Sequence, residues 1–174
     1  MIRNLTETIH GTLLSVYGTG VLICGGSGTG KSECALELIS RGHALVADDA
    51  VEITKTGATL FGSAPTSLRG LLEIRGLGIC DIRQLYGDGA FEERSEISIT
   101  IEFDPGTSTG ETETIGSKPS EIEIMGLKLT SFVISNANKR SLPIIIEAAV
   151  KMTLYGDRTA ETDLIQNYDG SLAN

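Results

Sequence analysis

The chain has 174 residues, of which 40% are hydrophobic, and a formal net charge of -9, a composition typical of one globular domain with its own hydrophobic core. The acidic charge, with no Lys/Arg cluster longer than Lys139-Arg140, argues against the basic surface that nucleic-acid binding requires. No apolar run is long enough to span a bilayer and the first residues lack a signal-peptide core, so we expect a cytoplasmic protein without membrane contact.

The N-terminal half contains short apolar runs and one segment with helical periodicity. Apolar runs bounded by glycines predict strands, whereas apolar residues three and four apart predict a helix. In chain order the predictions are strands at 12–17 and 21–24, a helix over 31–41, a strand at 43–47 that ends in Asp48-Asp49, and a strand at 51–54 beyond a bend. Strand, loop, helix and strand in this order indicate an α/β fold with a mixed sheet and flanking helices.

The C-terminal half continues with strands and closes with a helix. The predictions are strand-like residues at 71–82, strands at 96–102, 121–125 and 127–134, and a helix from a Ser141 cap to about 155. Because short links join these later strands, we expect them to be antiparallel. Residues 104–120 are expected to form a mobile loop. We therefore expect one domain over 1–156 and a polar, partly disordered tail over 157–174.

The segment Gly25–Ser32 matches the phosphate-loop pattern G-x-x-x-x-G-K-[ST] at every fixed position. Its glycines let backbone N–H groups surround an anion at the start of a helix. Lys31 would neutralise the β- and γ-phosphates of ATP, and the Ser32 hydroxyl would bind Mg²⁺. The predicted nucleotide-binding residues are Gly25, Gly26, Ser27, Gly28, Thr29, Gly30, Lys31 and Ser32.

Asp48 and Asp49 follow an apolar strand directly. Adjacent side chains at a strand end point in opposite directions, so one carboxylate can face a metal ion while the other faces an incoming hydroxyl as general base. A turn that simply uses two aspartates is the alternative explanation.

Several strings together resemble the bacterial HPr serine kinase/phosphorylase family. They are GGSGTGKSECALELISRGH, LVADDAVEI, LLEIRGLGICDI and IIIEAAVKM, of which EIRGLGI at 73–79 is the most specific. The similarity is close from His10 to about Tyr86 and returns at 144–152. It covers the catalytic domain alone, so we expect a short form without the N-terminal domain that many members have.

The resemblance implies a fold like that of phosphoenolpyruvate carboxykinase, and a kinase that uses ATP and Mg²⁺. Members phosphorylate a serine of the phosphocarrier HPr, with ATP or pyrophosphate as donor, and so regulate carbohydrate metabolism. They also remove that phosphate with inorganic phosphate and yield pyrophosphate. The family further implies a homo-hexamer.

The resemblance also assigns roles to individual residues. It implies that Asp49 is the base of the kinase step and the acid of the reverse step, with His10 beside it. Catalytic roles therefore fall on His10, Lys31, Asp49 and Arg140, and metal ligation on Ser32, Glu73 and Asp48. Arg75 and Arg140 are candidates for contacts with phosphate oxygens or with a neighbouring subunit.

The sequence departs from the family at two places. The family's loop arginine aligns near Thr114, where Lys118 nearby supplies a charge but no bidentate fork. A Pro-Gly-Arg tied to dephosphorylation is replaced by residues 135–140, of which only Arg140 fits. Two alternatives stay open at this point, namely a kinase with another protein or small-molecule acceptor, and a non-catalytic nucleotide sensor.

Overall fold

A computed structural model of the chain describes residues 5–104, 119–135 and 141–156. Most of these residues belong to eleven strands and three α-helices. The strands are β1 (Thr6–His10), β2 (Thr12–Val16), β3 (Thr19–Gly25), β4 (Ala44–Ala47), β5 (Ala50–Thr56), β6 (Thr59–Ser63), β7 (Leu71–Ile74), β8 (Gly78–Asp81), β9 (Arg94–Asp104), β10 (Ser120–Ile124) and β11 (Leu127–Ser135). The helices are α1 (Lys31–Ser40), α2 (Ile82–Tyr86) and α3 (Leu142–Tyr155).

Nine strands form the main sheet, and β7 and β8 form a separate hairpin. The main order is β1-β5-β6-β9-β3-β2-β4, and β11 and β10 continue from β9 on a branch. Strand β9 is long enough that its first residues pair with β6 while residues 99–104 pair with β11. The sheet therefore divides at β9 into two lobes, one that contains β6, β5 and β1 and another that contains β11 and β10.

The predicted elements are confirmed, including both strands before the glycine-rich loop and the helix after it. The expectation that the later strands are antiparallel is wrong for β9 and β11. Strand β9 runs parallel to β3 and to β11. Among the later strands β7 and β8 share a short turn, and so do β10 and β11, at Met125-Gly126 with φ values of 50° and 76°. That turn reverses the chain, so β11 runs in the same direction as β9.

Two apolar clusters occupy opposite faces of the main sheet. The first packs the sheet against α1, α3 and the β7–β8 hairpin, and includes Leu38, Phe103 and Ile146. The second lies between the two lobes and includes Leu13 and Ile53. No helix among the described residues is long and apolar enough to cross a membrane.

Helix α3 is tied to the end of α1 by a carboxylate. Glu147 accepts hydrogen bonds from Arg41 Nη2 at 2.6 Å and Nε at 3.0 Å, and its other contact is His43 Nε2 at 2.9 Å. The Glu147 side chain is 12% exposed. Ser141 occupies the N-cap of α3 as expected, although its side chain makes no capping hydrogen bond.

Glu147 should make the stability of the fold pH-dependent. The Arg41 hydrogen bond and then that of His43, opposed by burial, lower the Glu147 pKa from 4.5 to about 2. A carboxylate with a lowered folded-state pKa stabilises the fold above its unfolded pKa, and that contribution is lost as the pH falls from about 4.5 to 2. Glu147→Gln should therefore lower the free energy of unfolding at pH 7 by about 1–3 kcal/mol and reduce its slope below pH 5.

Urea unfolding between pH 3 and pH 7 measures both effects. Glu37→Gln is the matched control, because Glu37 also faces Arg41 but at 3.9 Å and with its side chain 50% exposed. The control should resemble the wild type. An unchanged acid slope in Glu147→Gln would contradict the prediction.

Candidate active site

The glycine-rich loop joins β3 to α1, and three of its glycines have backbone angles that suit glycine. Gly25, Gly28 and Gly30 have φ values of 140°, 77° and 92°, which side-chain-bearing residues rarely adopt. A Cβ on Gly25 would also lie 2.9 Å from the Phe103 carbonyl oxygen. No side chain caps α1 at Gly30, so the N–H groups of its first turn remain available to an anion.

Lys31 holds the loop closed from inside. Its Nζ donates to the carbonyl oxygens of Gly25 and Gly26, at 2.8 Å each, and the residue is 8% exposed. The Thr29 hydroxyl donates to the Gly26 carbonyl at 2.8 Å. A buried ammonium group therefore lies directly beneath the loop.

Asp48 is the buried member of the aspartate pair, 7% exposed at the end of β4. Its Oδ1 accepts the Thr12 hydroxyl at 2.7 Å. Its Oδ2 accepts the Glu73 backbone N–H at 3.3 Å and faces the Ser32 hydroxyl at 3.5 Å. One carboxylate thus connects β2, the start of α1 and β7. Burial raises the Asp48 pKa in spite of these hydrogen bonds, and the charge of Asp49 adds to the effect.

Asp48 should cost the fold stability at neutral pH. A carboxyl whose folded-state pKa is raised stabilises the fold while protonated, and this contribution is lost as the pH rises through the raised value. Asp48→Asn removes the buried charge, so we expect the free energy of unfolding at pH 7 to rise. Urea unfolding at pH 7 measures the change.

The control for Asp48→Asn is Asp81→Asn, for which the opposite sign is expected. Asp81 caps α2, and its hydrogen bond from the Arg83 side chain lowers its pKa. Asp81→Asn should therefore reduce stability at pH 7. An Asp48→Asn chain that is less stable than the wild type would contradict the expectation that burial of the Asp48 charge destabilises the fold.

Asp49 is the exposed member of the pair, with its side chain 74% exposed. His10 Nδ1 lies 3.1 Å from Asp49 Oδ1 and 2.9 Å from its backbone oxygen. Because both partners are acceptors, Nδ1 carries the hydrogen in this contact. Asp49 also has φ 66°, and this left-handed turn between β4 and β5 directs its side chain away from that of Asp48. The two side chains thus lie in different surroundings, and the expected roles of Asp48 toward a metal and Asp49 toward a hydroxyl stay predictions.

These side chains share one open cleft of ≈ 260 Å³. It brings together most of the predicted residues over the loop, including Arg75, and adds Glu33. Its lining is His10, Ser27, Gly28, Gly30, Lys31, Ser32, Glu33, Asp48, Asp49, Glu73 and Arg75. Gly25, Gly26 and Thr29 build the loop without lining the cleft. Arg140, Thr114 and Lys118 lie outside the described residues, as do most of the expected mobile loop and the tail.

Two residues of the site have no signal in the sequence pattern. Thr12 belongs to an ordinary strand, and its bond to Asp48 spans 36 positions. Glu33 belongs to the first turn of α1, where an acidic side chain is common for reasons of the helix dipole alone. The fold places Glu33 in the lining of the cleft and buries Thr12 beneath it, against Asp48.

The oxygen donors of the cleft fit Mg²⁺. Ser32, Asp48 and Glu73 offer hydroxyl and carboxylate oxygens, the ligand type that this ion prefers. Among the described residues no group of three or more His, Cys, Asp and Glu side chains could hold a metal ion alone.

The fold is a mixed α/β domain whose cleft contains a glycine-rich loop, one buried carboxylate and one exposed carboxylate. The family model described as "HPr Serine kinase C-terminal domain" matches residues 4–167, and the chain belongs to this family.

Curated relatives agree. The HPr kinase/phosphorylase of Caldicellulosiruptor bescii is 50% identical over 143 residues, which cover 82% of this chain and 46% of that protein. The one from Alkaliphilus metalliredigens is 44% identical over 147 residues, which cover 84% and 48%. The chain thus spans about half the length of these relatives.

Among solved structures, the Hpr(Ser) kinase/phosphatase from Coxiella burnetii superposes with a TM-score of 0.78 at 29% identity. The match covers 88% of this chain and 99% of that one. The similarity therefore extends over most of this chain.

Proposed function

We propose that this chain is an ATP-dependent protein-serine kinase domain that phosphorylates HPr. The observation that carries the proposal is the cleft itself, where an exposed carboxylate and its histidine, Asp49 and His10, stand at the mouth of a loop with a buried lysine. A nucleotide sensor needs an anion loop but has no use for an exposed base beside it. The names of the relatives supply the acceptor.

In the proposed reaction the triphosphate of ATP lies on Gly25–Ser32 as on a P-loop, in a fold like that of phosphoenolpyruvate carboxykinase. Lys31 exchanges its two carbonyl contacts for phosphate oxygens. Mg²⁺, held by Ser32, Asp48 and Glu73, would supply neutralising charge at the phosphates. Arg75 lies in the same cleft and offers a fork to phosphate oxygens.

Asp49 acts on the acceptor. Its carboxylate accepts the proton of the serine hydroxyl as the oxygen bonds to the γ-phosphorus and the bond from phosphorus to the β-γ bridging oxygen breaks. The contact with His10 holds the carboxylate in place. In the reverse direction, inorganic phosphate attacks phosphoserine, Asp49 returns the proton to the serine oxygen, and pyrophosphate leaves.

Assembly as a hexamer, a cytoplasmic location and a role for Arg140 stay predictions.

The test is transfer of label from γ-labelled ATP to purified HPr, and to an HPr whose acceptor serine is replaced by alanine. Label on the serine protein alone is expected. Bound ATP without any labelled HPr would refute HPr as the acceptor. Label on both proteins would refute serine as the acceptor group.

A further inference from the structure

A second and larger cavity, of ≈ 530 Å³, lies between the two lobes of the sheet. Strand β1 forms one wall and β10 the other, while the ends of β3, β9 and β11 form the floor. Ile9, Cys24 and Ile124, which line it, belong to or pack against the apolar cluster on the face opposite α1. Nothing in the proposed phosphoryl transfer uses this groove.

The groove is apolar within and acidic at its edge. Ile122 and Val133 are 43% and 49% exposed there, unusually open for strand residues of this type. The edge carries four carboxylates, those of Glu7, Glu102, Glu121 and Glu123. Among the described residues that line the groove none is Lys or Arg. Glu121 forms an ion pair at 2.8 Å with Lys128, which does not line the groove. The groove therefore favours an occupant that is both cationic and partly apolar.

The floor and walls also present polar groups. Ser131 is 7% exposed and lines the groove, and its backbone oxygen accepts the Ser120 hydroxyl at 3.3 Å. Both walls are also strand edges, since the described pairing joins β1 only to β5 and β10 only to β11. Free backbone groups on edge strands suit a polypeptide occupant.

The groove adjoins the catalytic cleft through two strands. Ile9 lines the groove and the next residue, His10, lines the cleft. Cys24 lines the groove and is followed by Gly25, the first residue of the anion loop. Along each of these two strands, one residue lines the groove and the next belongs to the cleft or its loop.

We propose that this groove docks the protein acceptor through a lysine- or arginine-bearing segment that also inserts an apolar side chain near Ile122 and Val133. The proposal rests on the proposed function, since it concerns the acceptor of that reaction. The chain's own link 105–118 carries Glu111 and Glu113 against Lys118. That link offers the groove no net positive charge, so charge complementarity favours the acceptor as occupant.

The first experiment reverses the charge of the rim with the double variant Glu7→Lys/Glu123→Lys. We expect KM for HPr to rise about tenfold with kcat within about twofold of the wild type, and the salt dependence of kcat/KM to weaken. Glu93→Lys is the matched control, since Glu93 is an exposed glutamate outside the groove, and it should leave KM unchanged. An unchanged KM in the double variant would overturn the docking groove while leaving the kinase intact.

The second experiment needs no phosphoryl transfer. A fluorescent synthetic peptide of alternating lysine and valine is titrated with the wild-type chain, the double variant and the control, and its anisotropy is measured. Binding to the wild type and to Glu93→Lys, with about tenfold weaker binding to the double variant, supports the groove. Equal binding to all three, or none to the wild type, overturns it. This measurement decides the question even if HPr proves not to be the acceptor.

Discussion

Replacing Asp49 by asparagine is expected to lower the rate of phosphoryl transfer to HPr by about 10²–10⁴-fold, the usual contribution of a positioned general base. ATP binding should stay close to that of the wild type, because Asp49 is exposed at the mouth of the cleft, whereas Lys31 lies under the loop. Single-turnover kinetics separate the chemical step from nucleotide binding.

Asparagine is the informative replacement here. Asp49 has φ 66°, a left-handed conformation that Asn and Asp tolerate better than other side chains with a Cβ. Asp49→Ala would combine the loss of the base with backbone strain between β4 and β5. With asparagine, a loss of rate reports the missing carboxylate.

Asp88→Asn serves as the control, since Asp88 is an exposed aspartate outside the cleft. It should transfer phosphate at the wild-type rate. If Asp49→Asn kept full activity, Asp49 would not be the base, and a sensor or a different catalytic group would have to be considered.

Replacing Lys31 by methionine should nearly abolish the reaction. We expect transfer to fall by at least about 10²–10³-fold, the typical cost of losing one donor to developing charge, and ATP affinity to fall with it. Methionine keeps the length of the side chain but removes both hydrogen bonds to the Gly25 and Gly26 carbonyls. Calorimetric titration with ATP measures the affinity.

Loss of loop structure must be distinguished from loss of phosphate contact. Circular dichroism and thermal unfolding of Lys31→Met check that the fold persists, and Lys151→Met, an exposed lysine of α3, is the matched control. Full ATP affinity in a folded Lys31→Met chain would show that the loop is not the phosphate site.

The sequence was sufficient for the local structure around the cleft. Gly25–Ser32 has a pattern typical of a strand, loop and helix. The Asp48 and Asp49 side chains diverge as expected, although the cause is the left-handed turn at Asp49 and not the alternation of a strand. The parallel pairing of β9 with β3 and β11 was missed because register and direction depend on contacts between distant segments. The same holds for side-chain contacts across the fold. Glu147 reaches Arg41 across 106 positions, and no local periodicity encodes such a distance.

The two carbonyl contacts of Lys31 imply that nucleotide binding is an exchange. In the free loop the Lys31 ammonium group already donates hydrogen bonds to the carbonyl oxygens of Gly25 and Gly26, so its buried charge is not without hydrogen-bond partners. An arriving phosphate must displace neutral oxygens, and the net gain is the difference between a charged and a neutral acceptor. Any small oxyanion can make the same exchange at the same lysine. Free phosphate and pyrophosphate should therefore compete with ATP for the loop, which links occupancy of the site to the ratio of these anions in its surroundings.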